Sequence, residues 1–166
     1  MRFVVTGEWT RNSLLKLIVM FFLFYVVAFW LTNFFLFFHK MDLSYISIVE
    51  YYRGSEEKYL PGRTYQGLLE ISHYHLFAMG ILMLTLTHLL LFVPLNLSLK
   101  AWLICLAFGS AFLDEASSWL VTFVHPGFAY LKMASFLTLQ GTMLATAIFT
   151  VYALATKAPS AYTDSD

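Results

Sequence analysis

Four of the five histidines in this sequence are predicted to lie near one face of a membrane. His39 ends the first long apolar stretch, His73 and His75 begin the second, and His125 ends the third. Imidazole is a favoured ligand of iron, copper and zinc. The cluster therefore predicts a haem or metal site near this face, with His39, His73, His75 and His125 as candidate ligands.

A pair of adjacent carboxylates, Asp114 and Glu115, interrupts the third apolar stretch near its middle. Even on lenient scales, inserting one charged residue at the centre of a bilayer costs roughly 2.5–3.5 kcal/mol of free energy. Such residues face the interior of a bundle and mark a proton path, a ligand site or a structural hydrogen bond. We expect Asp114 and Glu115 to handle protons; the alternative is a protonated acid that is hydrogen-bonded to nearby serines or threonines.

Spacing along the helices sets the expected depth of these groups. Asp114 precedes His125 by about 10 residues, which is about 15 Å of helix. A carboxylate at that depth could orient an imidazole above it or accept a proton from a quinol. On a regular helix the rings of His73 and His75 point about 200° apart, so only one of them can face the bundle.

The composition identifies the class of protein. Of 166 residues, 60% are hydrophobic and only 12% are charged. Soluble domains contain about 45–50% apolar and about 25% charged residues. The chain is therefore interpreted as an integral membrane protein in contact with the lipid bilayer. Its net charge of zero, without a basic stripe, excludes nucleic-acid binding. A single cysteine, Cys105, excludes an internal disulfide and a covalently attached c-type haem.

Four stretches are long enough to cross a bilayer, which takes about 20 apolar residues each. They run over about residues 14–38, 69–93, 99–124 and 128–154, and Pro94 and Pro126 end the second and third. The sequence predicts an all-α fold, an integral membrane four-helix bundle that forms a single domain over residues 1–166. One polar loop, at about residues 39–67, joins helices 1 and 2.

Basic residues are equally divided between the two sides of this topology, so the positive-inside count alone does not orient the chain. Arg2, Arg11 and Lys16 flank the first helix closely, which favours cytoplasmic termini. We expect a multi-pass protein of the bacterial inner membrane with the tyrosine-rich loop on the other side. Those tyrosines form either an interfacial belt or a docking surface for a periplasmic partner.

The second span carries a candidate haem face. Residues at a 4-3-4-4 spacing share one side of the helix, namely His73, Phe77, Gly80, Leu84 and His88. Gly80 would give a porphyrin a flat wall. Since no other histidine lies at the depth of His88, one bis-histidine haem fits better than two. Its ligands would be His73 or His75 together with His125 or His39.

Three segments carry a family resemblance: Ser72-His73-Tyr74-His75-Leu76-Phe77-Ala78-Met79-Gly80, Leu113-Asp114, and Pro126-Gly127-Phe128-Ala129-Tyr130. The chain resembles small four-helix bacterial membrane subunits that accompany c-type cytochromes, and more broadly the four-helix b-type cytochrome anchors of respiratory complexes. This resemblance implies electron transfer between the quinone pool and a periplasmic c-type cytochrome, within a complex of other membrane subunits.

The leading hypothesis is thus a membrane subunit of an electron-transfer complex. It would bind one b-type haem, and with it a quinone, near the non-cytoplasmic face. A second hypothesis is a copper site in which His73, His75 and either His39 or His125 supply three nitrogens, with Met79 as a soft ligand. A third is an accessory structural subunit without its own cofactor, whose small residues in the last two spans permit close helix packing.

Overall fold

A computed structural model describes residues 13–156, and it confirms the predicted all-α membrane bundle. Helix α1 covers Ser13–Lys40, α3 covers Tyr65–Leu90, α4 covers Leu97–Trp119 and α5 covers Ala129–Ala155. A π-helical turn, Leu120–Val124, extends α4, and a 3-10 turn, Pro126–Phe128, precedes α5. All four long helices are long and apolar enough to cross a bilayer. Arg2 and Arg11, on which the predicted orientation depends, lie outside the described residues.

The second span begins earlier than the apolar pattern predicts. Helix α3 starts at Tyr65, where the Thr64 side chain caps it by accepting a hydrogen bond from the Gly67 amide at 3.1 Å. The polar first turn concealed this start in the hydropathy pattern. His73 and His75 consequently lie two to three turns inside α3, deeper than a position at its beginning.

The predicted loop contains a short helix and a hairpin. Helix α2 covers Tyr45–Arg53, and strands β1, Gly54–Ser55, and β2, Leu60–Pro61, pair antiparallel. Gly54 has a φ of +84°, and a side chain there would meet the backbone of β2, so the reversal after α2 requires glycine. Helix α2 buries Ile48 and Tyr52 against the π-helical turn and α5, which closes one end of the bundle.

Helix α5 is the centre of the bundle, packing against α4, α3 and α1. In the half of the bundle away from α2, an apolar cluster that includes Met83, Leu86, Leu139 and Met143 forms the core, together with buried threonines such as Thr146. Nearer α2, the Phe37 ring of α1 stacks on Phe136 of α5 with centroids 3.8 Å apart. Most of α1 is otherwise open to lipid, because only four of its residues are buried.

We expect the Phe37–Phe136 stack to be a main attachment of α1. F136A would remove a side chain that is 2% exposed, and truncations of this kind cost about 3–5 kcal/mol in well-packed cores. The variant should lose its monodisperse size-exclusion peak at a lower temperature in detergent. F24A, on the same aromatic type at a position that is 66% exposed, is the matched control and should leave the transition unchanged. Equal transitions for both variants would contradict this role.

Candidate functional site

Asp114 forms a buried ion pair with Lys132. The Lys132 Nζ lies 2.9 Å from Asp114 Oδ1 and also donates to the Asp114 backbone carbonyl at 2.9 Å. The Ser135 hydroxyl lies 3.5 Å from the same carboxylate oxygen. Asp114 and Lys132 are both buried, at 8% and 6% exposure. The pair ties α4 to the first turn of α5 and neutralises one of the two carboxylates.

Glu115 faces the opposite neighbour, α3. Its Oε1 accepts a hydrogen bond from the Ser72 hydroxyl, which in turn accepts one from the Trp119 indole at 2.7 Å. Its Oε2 lies 3.5 Å from His75 Nδ1. With Nδ1 turned toward the carboxylate, Nε2 is the ring nitrogen of His75 that remains for another partner.

The two carboxylates diverge because adjacent helical residues point about 100° apart. Glu115 precedes the end of the span at Val124 by nine residues, or about 14 Å of helix. In a hydrocarbon layer about 30 Å thick, that places it near the middle. The structure therefore holds an acid–base cluster at bilayer depth, consisting of Ser72, His75, Asp114, Glu115 and Lys132.

Groups from the extramembrane segment reach this cluster. The Tyr52 hydroxyl of α2 lies 2.9 Å from the hydroxyl of Ser118, one turn after Asp114. Arg63 stacks its guanidinium 4.1 Å from the Tyr51 ring centre, and its amide donates to the Tyr52 carbonyl at 2.8 Å. Burial raises the pKa of the Tyr51 phenol, although Arg63 and Lys132 act in the opposite direction. Helix α2 is thereby fixed above the cluster.

His75 lies on three cavities. The first is the α1–α3 groove, an open, largely apolar space of about 710 Å³ lined on its polar side by Thr32, Asn33 and Tyr74. The second is the α3–α4 cavity, about 160 Å³, which also reaches Glu115. The third, here called the inner cavity, has about 200 Å³ and is bounded by all three charged residues of the cluster and by Arg63. In each of these spaces His75 is the one histidine of the lining.

The other predicted ligands lie elsewhere. His73 and His88 are exposed on α3, whereas Gly80, also exposed, lines the α3–α4 cavity. A side chain built at Gly80 would meet no atom within 4 Å. His39 is exposed at the end of α1, and His125 is exposed with its Nδ1 accepting from the Gly127 amide at 2.9 Å.

The structure thus brings together Asp114, Glu115 and His75, but not the histidine cluster. Within residues 13–156, no three His, Cys, Asp or Glu side chains approach one another closely enough to hold a metal ion. The described cavities of this chain likewise offer one histidine, and not two, to a haem. The haem and copper assignments stay predictions.

Sequence reasoning missed Lys132 as part of the site because the positive-inside count placed it with the basic residues of the face that carries the tyrosine-rich loop, although it lies within the predicted fourth span. A signal was available: a lysine inside the fourth span needs an acidic partner, and Asp114 in the preceding span is one. Ser72 and Tyr52 carried no comparable signal, since isolated hydroxyls are frequent in apolar helices and loops.

Removing one member of the Asp114–Lys132 pair should destabilise the bundle more than removing both. A buried charge that loses its partner costs about 3–5 kcal/mol, whereas neutralising a whole pair is often tolerated. We expect K132M and D114N each to lower the thermal transition in detergent, and the double variant to recover much of the loss. The measurement is a double-mutant cycle of the transition temperatures.

The Lys58–Glu50 pair is the matched control. Its charged atoms lie 2.8 Å apart, but both side chains are accessible to solvent, and exposed pairs contribute about 0–1 kcal/mol. K58M and E50Q should therefore leave the transition nearly unchanged. Additive losses from K132M and D114N, without recovery in the double variant, would argue against a coupled pair.

Comparison with known proteins assigns the chain to a family but not to an activity. Residues 42–161, more than half of the chain, match the family Aq_1264_TM, which is described as a transmembrane helical domain. No curated protein and no solved structure matches the chain. The matched segment contains α2 to α5 and every residue of the acid–base cluster. The chain therefore belongs to the Aq_1264_TM family of transmembrane helical domains.

Proposed function

We propose that this chain is a membrane subunit of an electron-transfer complex and that it binds a quinone or quinol in the α1–α3 groove. The observation that carries the proposal is the position of His75. Its ring lines a groove of about 710 Å³ that is open toward lipid, and its Nδ1 lies 3.5 Å from Glu115. A lipid-soluble molecule in the groove would thereby meet a proton acceptor.

The groove matches the chemistry of such a ligand. Small-molecule sites are typically 300–1,000 Å³, mostly apolar, and supplied with a few polar groups. Here the walls are aromatic and aliphatic side chains of α1 and α3, suited to a ring and a prenyl chain. His75 Nε2, Asn33 and Thr32 are the polar groups available to a ring carbonyl or hydroxyl.

The proposed step is the deprotonation of a quinol. Its hydroxyl donates a proton to His75 Nε2, while His75 passes its Nδ1 proton to Glu115. Complete oxidation of one quinol releases two protons and two electrons. The electrons pass singly to a c-type cytochrome, the partner class that the sequence resemblance implies. Each proton thus passes from the ligand to His75 and Glu115 before it reaches water.

A second candidate is a haem held between subunits. The observation that favours it is the exposure of His73 and His88 on α3. His73 would hold the haem together with a ligand from a neighbouring chain, and the bound haem would supply one-electron transfer. A dithionite-reduced minus oxidised spectrum of the purified complex, repeated with H73A, tests it. A b-type band that H73A leaves intact would exclude His73.

The groove is tested with a variant that fills it. Ala78 is exposed and lines the groove, so A78F should occupy ligand space and weaken binding of decyl-ubiquinone by about tenfold, or 1.4 kcal/mol. Binding is measured by the ligand-dependent shift of the thermal transition. A101F, at an exposed alanine of α4 outside the three cavities, is the matched control and should bind normally.

A ligand without carbonyl groups separates recognition from simple partition into an apolar crevice. Decylbenzene carries a ring and the same chain but offers no acceptor to His75. We expect it to shift the transition less than decyl-ubiquinone does. H75L should remove that difference while leaving decylbenzene unaffected. Equal shifts for both ligands in the unmodified protein, or equal weakening by A78F and A101F, would overturn the proposed quinone site.

A further inference from the structure

The inner cavity joins the acid–base cluster to one membrane face. Lys40, the last residue of α1, and Arg63, which follows the hairpin, line its outer end, and both belong to the face that carries α2. His75, Asp114 and Glu115 line its other end, near the middle of the bilayer. Its volume of about 200 Å³ is sufficient for several water molecules.

Polar groups follow the whole length of this cavity. Between its two ends lie the Tyr52 and Ser118 hydroxyls, 2.9 Å apart, and the Lys132 ammonium. Hydrated cavities require such partners, because a buried water makes two to four hydrogen bonds. A water chain beside Glu115 would therefore find donors and acceptors at every level between the carboxylate and Arg63.

In the opposite direction the surroundings of Glu115 are apolar. Phe136 bounds the inner cavity and stacks on Phe37. Met79 and Met83 line the α3–α4 cavity, whose walls beyond His75 and Glu115 carry no polar side chain, and Leu139 is 1% exposed. Of the buried polar residues deeper in α5, Thr146 and Thr150 donate to carbonyls of their own helix. Gln140, whose amide has no hydrogen-bond partner among the described residues, lies one turn past Phe136 on the same side of α5.

We infer that the inner cavity is a one-sided aqueous half-channel, through which protons pass between Glu115 and the membrane face that carries α2. A proton leaves the Glu115 carboxyl for a water molecule in the cavity and moves outward past Ser118, Tyr52 and Arg63. The identity of the proton donor in the groove rests on the proposed function, whereas the aqueous route does not. Oxidation of a quinol at His75 would then release its protons on the α2 face.

Thiol accessibility tests the route without any quinone. In a C105S background, S118C places a near-isosteric thiol on the inner cavity. L113C, on the same helix about 7.5 Å deeper and facing outward at 42% exposure, is the lipid-facing control. Both are reconstituted into vesicles and treated with a charged, membrane-impermeant thiosulfonate. Y59C, at a hairpin tyrosine that is 93% exposed, reports which side of each vesicle carries the α2 face.

We expect S118C to react from the α2 face at least about tenfold faster than L113C, since only a hydrated thiol ionises readily and meets a charged reagent. A membrane-permeant maleimide, which reaches both thiols, confirms that each is present and folded. L68C, on the α3 side of the same cavity, serves if S118C does not fold. Reaction no faster than that of L113C, or reaction from the opposite face, would overturn the half-channel and leave the quinone assays unaffected.

Discussion

The cost of two adjacent carboxylates at the middle of a bilayer determines how this bundle is assembled. Because Asp114 and Glu115 diverge by about 100°, one neighbouring helix cannot satisfy both. Helix α4 therefore lies between two partners, with α5 supplying Lys132 and α3 supplying Ser72 and His75. An apolar helix in lipid gains little free energy by adopting one rotation about its axis instead of another, because the lipid tails are as apolar as its side chains. The polar contacts give α3, α4 and α5 a definite rotation and register.

Helix α1 is subject to none of these constraints, and this explains the groove. It attaches to α5 through the Phe37–Phe136 stack and through the Trp30 indole, which donates to the Gln140 backbone carbonyl at 2.9 Å. Its side toward α3 remains partly uncovered, so His75 is 33% exposed while its partner Glu115 is 10% exposed. His75 thus contacts a buried carboxylate on one side and lines the open groove on the other.

The sequence was sufficient for the fold because span length is a coarse requirement. About 20 apolar residues must cross the hydrocarbon, and small errors at the ends of a span leave the number of spans unchanged. The burial of Asp114 and Glu115 was predictable for a similar reason, since exposing either to lipid is costly. Both inferences depend on the hydrophobicity of single segments and not on how the segments pack.

The pairing of the site residues depended on depth and rotation, which composition does not encode. Helix α3 begins four residues earlier than predicted, where Thr64 caps it. His75 therefore lies at the depth of Glu115 and not at the membrane interface. The expected arrangement of a carboxylate beside an imidazole occurs, but between Glu115 and His75 and not beneath His125. Lys132 was misassigned because a charge near the end of a span is equally consistent with a loop and with the core.

Charge pairing distinguishes the two carboxylates. Asp114 is paired with Lys132 at 2.9 Å, and of the three cavities it lines only the inner one. Among the described residues, Glu115 contacts no cation at so short a distance, since its oxygens meet the Ser72 hydroxyl and, at 3.5 Å, the His75 Nδ1. His75 lines the α1–α3 groove and Glu115 lines the inner cavity, so this second pair extends from one space to the other. Because Lys132 pairs with Asp114, Glu115 is the carboxylate of the site whose partner faces the groove.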